Sequence, residues 1–153
     1  GYYSNIGRLI GTDGNAKMSK SLGNTIYLSE SGEVLKEKIT KMFTDPSRIH
    51  ATDPGKVEGN PVFIYHDAFN TNMEEVADLK ERYLVGTVGD VEVKAKLFNV
   101  LDKFLEPIRE KRNYYDLHRD EVIDILKTGT AKVKKIGEEL IEQVKEAMKI
   151  NYF

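Results

Sequence analysis

"SGEVLKEKITKMFTDP", Ser31 to Pro46, is where the chain changes character. Leu35, Ile39, Met42 and Phe43 fall at i, i+4, i+7 and i+8, one face of a 3.6-residue repeat, while charged residues fill the other face. Ser31 supplies an N-cap, and Asp45-Pro46 supplies the stop because the residue before a proline is pushed out of the helical region. The stretch predicts a helix, and the chain after it keeps the same period.

Downstream, Asn60 caps a second helix with Pro61 at its first position and Val62, Ile64, Tyr65 and Phe69 following. Asn72 opens a third, with Val76, Leu79 and Tyr83 facing inward and Gly86 at the stop. Asp90 begins the longest, carrying a stripe at Leu97, Phe98, Leu101, Phe104, Leu105 and Ile108, and Pro107 is expected to kink or break it. Asp120 to Thr128 reads as a short helix closed by Gly129. Thr130 then caps a last helix with Val133, Ile136, Leu140, Val144 and Met148 inside. Between the first two helices, residues 44–61 hold three of the four prolines and two Thr-Asp-Pro turns, a structured connector. Upstream, the first thirty residues hold five of the twelve glycines and read as loop. "NTIYLSE", Asn24 to Glu30, alternates as a short strand or an extended exit. The expected fold class is mainly α: a glycine-rich loop segment followed by a helical bundle of five or six helices.

Composition bounds the function classes. With 153 residues, 40% hydrophobic and 31% charged, the chain resembles an ordinary folded domain rather than a disordered one. The net charge of −2 removes any whole-molecule attraction to nucleic acid, so such binding requires a local patch. Residues 61–90 carry two positive and six negative groups, whereas residues 91–120 carry seven and six. The absence of cysteine excludes disulfides and thiolate metal sites. His50, His66 and His118 lack metal-ligand spacing, so no metal site is expected. With no long apolar run and no signal-like N-terminus, the expected location is the cytoplasm and no membrane partner is expected.

The chemistry concentrates in "KMSKSLGN", Lys17 to Asn24. A specified five-residue word such as KMSKS arises by chance in roughly one sequence of this length in twenty thousand. Lys17 and Lys20 offer compact ammonium charges on flexible stems, Ser19 and Ser21 offer hydroxyl donors, and the neighbouring glycines let backbone amides approach. That set suits a polyphosphate. It is not a Walker A loop, because no Gly-Lys-Ser/Thr occurs, and no base or nucleophile elbow accompanies either serine.

"GTDGNAKMSKSLGNTI", Gly11 to Ile26, resembles the signature loop of the class I aminoacyl-tRNA synthetases. "TDPSRIHATDPGKVEGNPVFIYHDAF", Thr44 to Phe69, resembles the bacterial tryptophanyl branch of that family. The resemblance runs from about Gly7 to the C-terminal helix. It implies catalytic roles for Lys17 and Lys20 on the ATP phosphates and the pyrophosphate leaving group. It further implies ATP contacts at Leu9, through its backbone near the adenine, and at Met18, Ser19 and Ser21. Asp13 and Gly14 are either a plain turn or part of the ATP site. Also implied are ATP with Mg2+, L-tryptophan and tRNA(Trp) as substrates, and a homodimeric parent. The family's second signature, a His-x-Gly-His motif, is not found around any of the three histidines. The expectation is therefore a C-terminal portion of such an enzyme, most of its Rossmann sheet preceding Gly1, inactive by itself in forming tryptophanyl-adenylate. The implied division is a catalytic-domain remnant over 1–30, a linking helix and connector over 31–60, and a helical anticodon-binding domain over 61–153. Within the last, "REKRNYYDLHR" combines Arg109, Lys111, Arg112 and Arg119 with Tyr114 and Tyr115, cations for phosphates and rings for unpaired bases. An ordinary charged helix end is the competing reading of that stretch. Lys132, Lys134 and Lys135 form a weaker basic cluster. A tyrosine or methionine enzyme of the same class, or a stand-alone helical RNA-binding module, is the alternative for the whole chain.

Overall fold

The computed structural model describes residues 9–15 and 17–150. These form five α-helices and no strand: α1 (Gly32–Thr40), α2 (Pro61–Phe69), α3 (Met73–Leu84), α4 (Asp90–Leu117) and α5 (Arg119–Met148). A single 3-10 turn, Lys20–Leu22, lies in the loop region before them. The chain divides into two compact units, Gly1–Glu110 and Lys111–Phe153, and α4 passes from the first into the second.

Capping sets the starts of the first three helices. Ser31 accepts from the Val34 amide, Asn60 from Val62 and Asn72 from Glu75, each satisfying a donor that the first turn leaves without a partner. In the first unit these helices share one core. Leu35, Ile39 and Met42 meet Val62, Phe63 and Tyr65 of α2, Leu79 and Tyr83 of α3, and Val93, Leu97, Leu101 and Leu105 of α4. Each fully buried side chain of this kind contributes about 1.5–3 kcal/mol. Phe63 and Tyr83 meet edge to face with centroids 4.9 Å apart.

The connector is folded by its polar residues. Asp45 accepts from the Ser47 amide (2.9 Å) and the Lys56 amide (3.0 Å), and Asp53 accepts from the Ile49 (3.0 Å) and His50 (2.7 Å) amides. Both Thr-Asp-Pro aspartates thus close turns; the Ser47 hydroxyl (2.6 Å) and amide hold the Asp45 carboxyl below its ordinary pKa, and the His50 and Ile49 amides do the same for Asp53. Gly86 has φ +75°, and a Cβ there would stand 2.2 Å from the Thr52 carbonyl oxygen.

Several sequence expectations need correction. "NTIYLSE" forms no strand; it turns at Leu28–Ser29, the Glu30 amide donating to the Tyr27 carbonyl (3.2 Å), and is drawn onto α1 by Lys38, which donates to the Thr25 carbonyl (2.6 Å) and pairs with Glu30. Pro107 does not interrupt α4, which runs unbroken for 28 residues. The missing donor costs one hydrogen bond at an exposed position, while Leu101 and Leu105 keep the helix seated. Gly129 does not end a helix either: α5 is continuous for 30 residues. Phe43 is 44% exposed rather than in the core. Along α5 the stripe expected inside is open to solvent, with Val133 68% and Leu140 58% exposed.

Candidate functional site: the Lys17–Asn24 loop

The loop is tied to the helices on both sides. The Tyr65 hydroxyl of α2 donates to the Ile10 carbonyl (2.9 Å), and burial pushes that phenol up to about 12. After α1, the Phe43 amide donates to the Thr12 carbonyl (2.8 Å). Leu9 and Met18 are partly buried and pack against the core of the first unit. The adenine-side candidate and the apolar member of the loop therefore rest on the same hydrophobic support.

Inside the loop, the hydrogen bonds converge on Asn24, which is 3% exposed. Its Oδ1 accepts from the Ser19 amide (2.8 Å), and its Nδ2 donates to the Lys17 carbonyl (2.9 Å) and to Asp13 Oδ1 (3.0 Å). Its own carbonyl accepts from the Thr12 amide (3.0 Å). Asp13 is bound in turn by the Asn15 amide (3.0 Å) and side chain (2.6 Å). The Asn24 and Asn15 donors hold the Asp13 carboxyl below its ordinary pKa. The 3-10 turn then closes with the Gly23 amide on the Lys20 carbonyl (3.2 Å), Gly23 sitting at φ 68°, where glycine avoids a Cβ penalty.

The result presents the chemistry outward. Lys17 and Lys20 are exposed, and among the described residues neither pairs with a carboxylate. Lys20 Nζ lies 5.9 Å from the centroid of Tyr27. The Ser19 and Ser21 hydroxyls are hydrogen-bonded to each other at 2.9 Å, one donating to the other. Two exposed ammonium groups, a mutually bonded pair of hydroxyls and a stiffened backbone are brought together here, donor chemistry of the kind that suits an anion.

The basic stretch is split by the fold. Arg109, in the first unit, donates to Asp102 Oδ1 (2.7 Å), the Asp102 carbonyl (3.1 Å) and the Glu30 carbonyl (3.3 Å). It is engaged with its own chain. The others lie in the second unit, where Tyr114 and Tyr115 are 48% and 41% exposed. Tyr114 stacks on His118 at 4.1 Å and its hydroxyl donates to Glu121 (3.0 Å), which raises the phenol pKa. Arg112, Tyr115 and Arg119 line an open cleft of about 490 Å³ with Asp116, Val122 and Ile123. Lys111 is exposed beside them. Among the described residues no carboxylate and histidine cluster suited to a metal occurs.

One residue that organises this loop escaped sequence reasoning: Asn24 was visible only as the end of the loop word, and its role is set by Asp13, Lys17 and Ser19, which the fold brings onto its side chain.

Comparison with known proteins shows which family the chain resembles. The family model described as class I tRNA synthetases (W and Y) matches residues 6–106. The tryptophan–tRNA ligase of Borreliella burgdorferi is 52% identical over 139 residues, covering 90% of this chain and 40% of that protein. The ligase of Treponema pallidum is 50% identical over 145 residues, covering 95% and 43%. The chain thus spans less than half the length of these relatives. Among solved structures, tryptophanyl-tRNA synthetase from Campylobacter jejuni, complexed with ADP and tryptophan, superposes with a TM-score of 0.79 at 28% identity. That match covers 96% of this chain and 45% of the other. A family model spanning the loop, the connector and most of the first unit, with relatives at this identity, places the chain in the W and Y family of class I tRNA synthetases.

Proposed function

We propose that this chain is the C-terminal portion of a tryptophan–tRNA ligase, supplying the loop that holds the phosphates of ATP during tryptophan activation and helices that dock tRNA(Trp). The observation that carries the reading is the Lys17–Ser21 loop, folded on Asn24 with both ammonium groups exposed and the Ser19 and Ser21 hydroxyls paired beside them.

In the proposed reaction the tryptophan carboxylate attacks the α-phosphorus of ATP, the bond to the bridging oxygen breaks, and negative charge gathers on the departing pyrophosphate. Lys17 and Lys20 neutralise that charge, and Ser19 and Ser21 donate to its oxygens. Donors aimed at charge that develops only in the transition state are each worth about 10²- to 10³-fold in rate. Leu9 and Met18 give the site its apolar floor. Mg2+ enters with the nucleotide as part of the substrate. Asp13, the acidic side chain of the loop, already has its oxygens bound by Asn15 and Asn24, so the loop offers donors to phosphate rather than carboxylates to a cation. Residues 1–30 are assigned to the catalytic domain, 31–60 to the link, and 61–153 to tRNA docking. Docking rests on Lys111, Arg112, Arg119, Tyr114 and Tyr115, while Arg109 braces α4 against the Glu30 carbonyl.

ATP–pyrophosphate exchange tests the first part. The intact ligase carrying this segment should exchange only with tryptophan, not tyrosine, and the 153-residue chain alone should not exchange. Exchange by the chain alone refutes the division of labour. For tRNA, Arg112→Ala with Arg119→Ala should weaken binding and flatten its salt dependence by about one unit of slope per lost phosphate contact. An unchanged slope removes this stretch from the docking surface.

A further inference from the structure

We infer that Asn24 is a positioning residue for adenylyl transfer: its buried carboxamide fixes the backbone from Lys17 to Ser19, which carries Lys17 and leads directly into Lys20. The inference rests on the phosphate-loop reading above. The carboxamide is nearly shut off from water, and its three hydrogen bonds go to the Lys17 carbonyl, the Ser19 amide and the Asp13 carboxylate. Lys17 and Ser19 flank Met18, which packs on the core. The backbone on both sides of that anchor is therefore held by one rigid group. Gly11 seals the arrangement, since a Cβ there would lie 2.2 Å from Asn24 Nδ2.

Only a primary amide meets these demands. Ser19 offers a donor, whereas Lys17 and Asp13 offer acceptors, so the central side chain must both accept and donate within one plane. A carboxylate would face oxygen atoms at 2.9 Å and 3.0 Å with nothing to give them. Without the clasp, both lysines must be ordered as the leaving group develops its charge, and that entropy falls on the transition state rather than on ATP binding.

The test compares variants of the intact ligase in tryptophan-dependent ATP–pyrophosphate exchange, alongside amide hydrogen exchange of the 153-residue chain. Asn24→Ala should lower kcat by about 10- to 100-fold, the scale of an approximately 1 Å misplacement, while KM for ATP changes less than about threefold. The Ser19 amide should exchange at least about tenfold faster while amides of α4 keep their protection. Asn24→Asp should be worse than Asn24→Ala, and Asp13→Asn added to Asn24→Asp should recover activity by restoring one donor between the two sites. A kcat within about twofold of the parent while the Ser19 amide is deprotected overturns the inference. So does failure of Asp13→Asn to improve Asn24→Asp. Lys20→Ala separates this from the underlying reading: if it leaves kcat intact, the phosphate-loop assignment itself fails, whatever Asn24 does.

Discussion

Replacing Arg48 by alanine should cost the first unit much of its stability. The side chain is 1% exposed. Its Nε donates to the Asp53 carbonyl (2.8 Å), and its Nη2 donates to the Ala51 (2.6 Å) and Val88 (2.8 Å) carbonyls. The guanidinium lies 4.1 Å from the centroid of the Tyr83 ring, with Asp90 Oδ2 3.6 Å from Nη1. Hydrogen bonds from a charged donor contribute about 1.5–3 kcal/mol each, and a buried cation over an aromatic face about 1–2 kcal/mol. Water reaching Ala51 and Asp53 offsets part of that, so the net loss is about 3–5 kcal/mol, the scale of other broken buried networks. Urea unfolding followed by near-ultraviolet circular dichroism reads it directly. With a slope of about 2 kcal/mol/M, the midpoint should fall by about 1.5–2.5 M. Arg48→Lys should recover less than half, because one ammonium cannot span carbonyls on opposite sides of a planar fork. A fall below about 0.5 M for Arg48→Ala would refute the claim that this residue holds the connector to α3 and the start of α4.

Burial holds the His66 imidazole below its ordinary pKa, with Nε2 3.0 Å from the Val93 carbonyl and Nδ1 3.4 Å from Asn70 Nδ2. Below about pH 6.5 the unfolded chain binds the proton that the folded one refuses. The neutral imidazole's contribution is thus complete above pH 6.5 and is lost as pH falls toward the depressed folded value. His66→Gln should flatten the urea midpoint against pH over that window, and an unchanged slope contradicts the assignment. Gly86→Ala should destabilise by more than about 1 kcal/mol, given its positive φ and the Thr52 oxygen 2.2 Å from the new Cβ. Gly129→Ala, where no atom lies within 4 Å, should instead stabilise α5 by about 0.5–1 kcal/mol in thermal melts at 222 nm. A loss at Gly129 or a gain at Gly86 would overturn these backbone arguments.

What the sequence made legible was local. The caps at Ser31, Asn60 and Asn72 each act within three residues of themselves, and the helices start where those caps stand. The loop word stood out for the same reason, since it lies in five consecutive residues. Gly129 misled, and Pro107 did not break α4, because a breaker states a cost, not an outcome: about 1 kcal/mol for a glycine is absorbed by a 30-residue helix. The stripe on α5 marked an apolar face correctly, but a periodic pattern carries no information on what lies opposite it. Asn24 and Arg48 were missed because each satisfies several backbone groups brought together by the fold, as with Arg48 and Val88, 40 residues apart.

The division between word and support predicts that activity and stability separate at Lys20. Its ammonium is exposed, and its nearest aromatic face, Tyr27, lies 5.9 Å from it. The carbonyl that closes the turn with Gly23 belongs to the backbone and survives substitution. Lys20→Ala should therefore leave the unfolding midpoint within the range of surface changes, about 0.5 kcal/mol, while lowering kcat for exchange about 10²- to 10³-fold. Arg48→Ala should show the reverse order of effects, large on stability and secondary on the chemistry of properly folded molecules. If Lys20→Ala instead lowered the unfolding midpoint as far as its activity, the ammonium would be a structural brace. The loop would then be held by its lysines rather than holding them, contrary to the bonds that converge on Asn24.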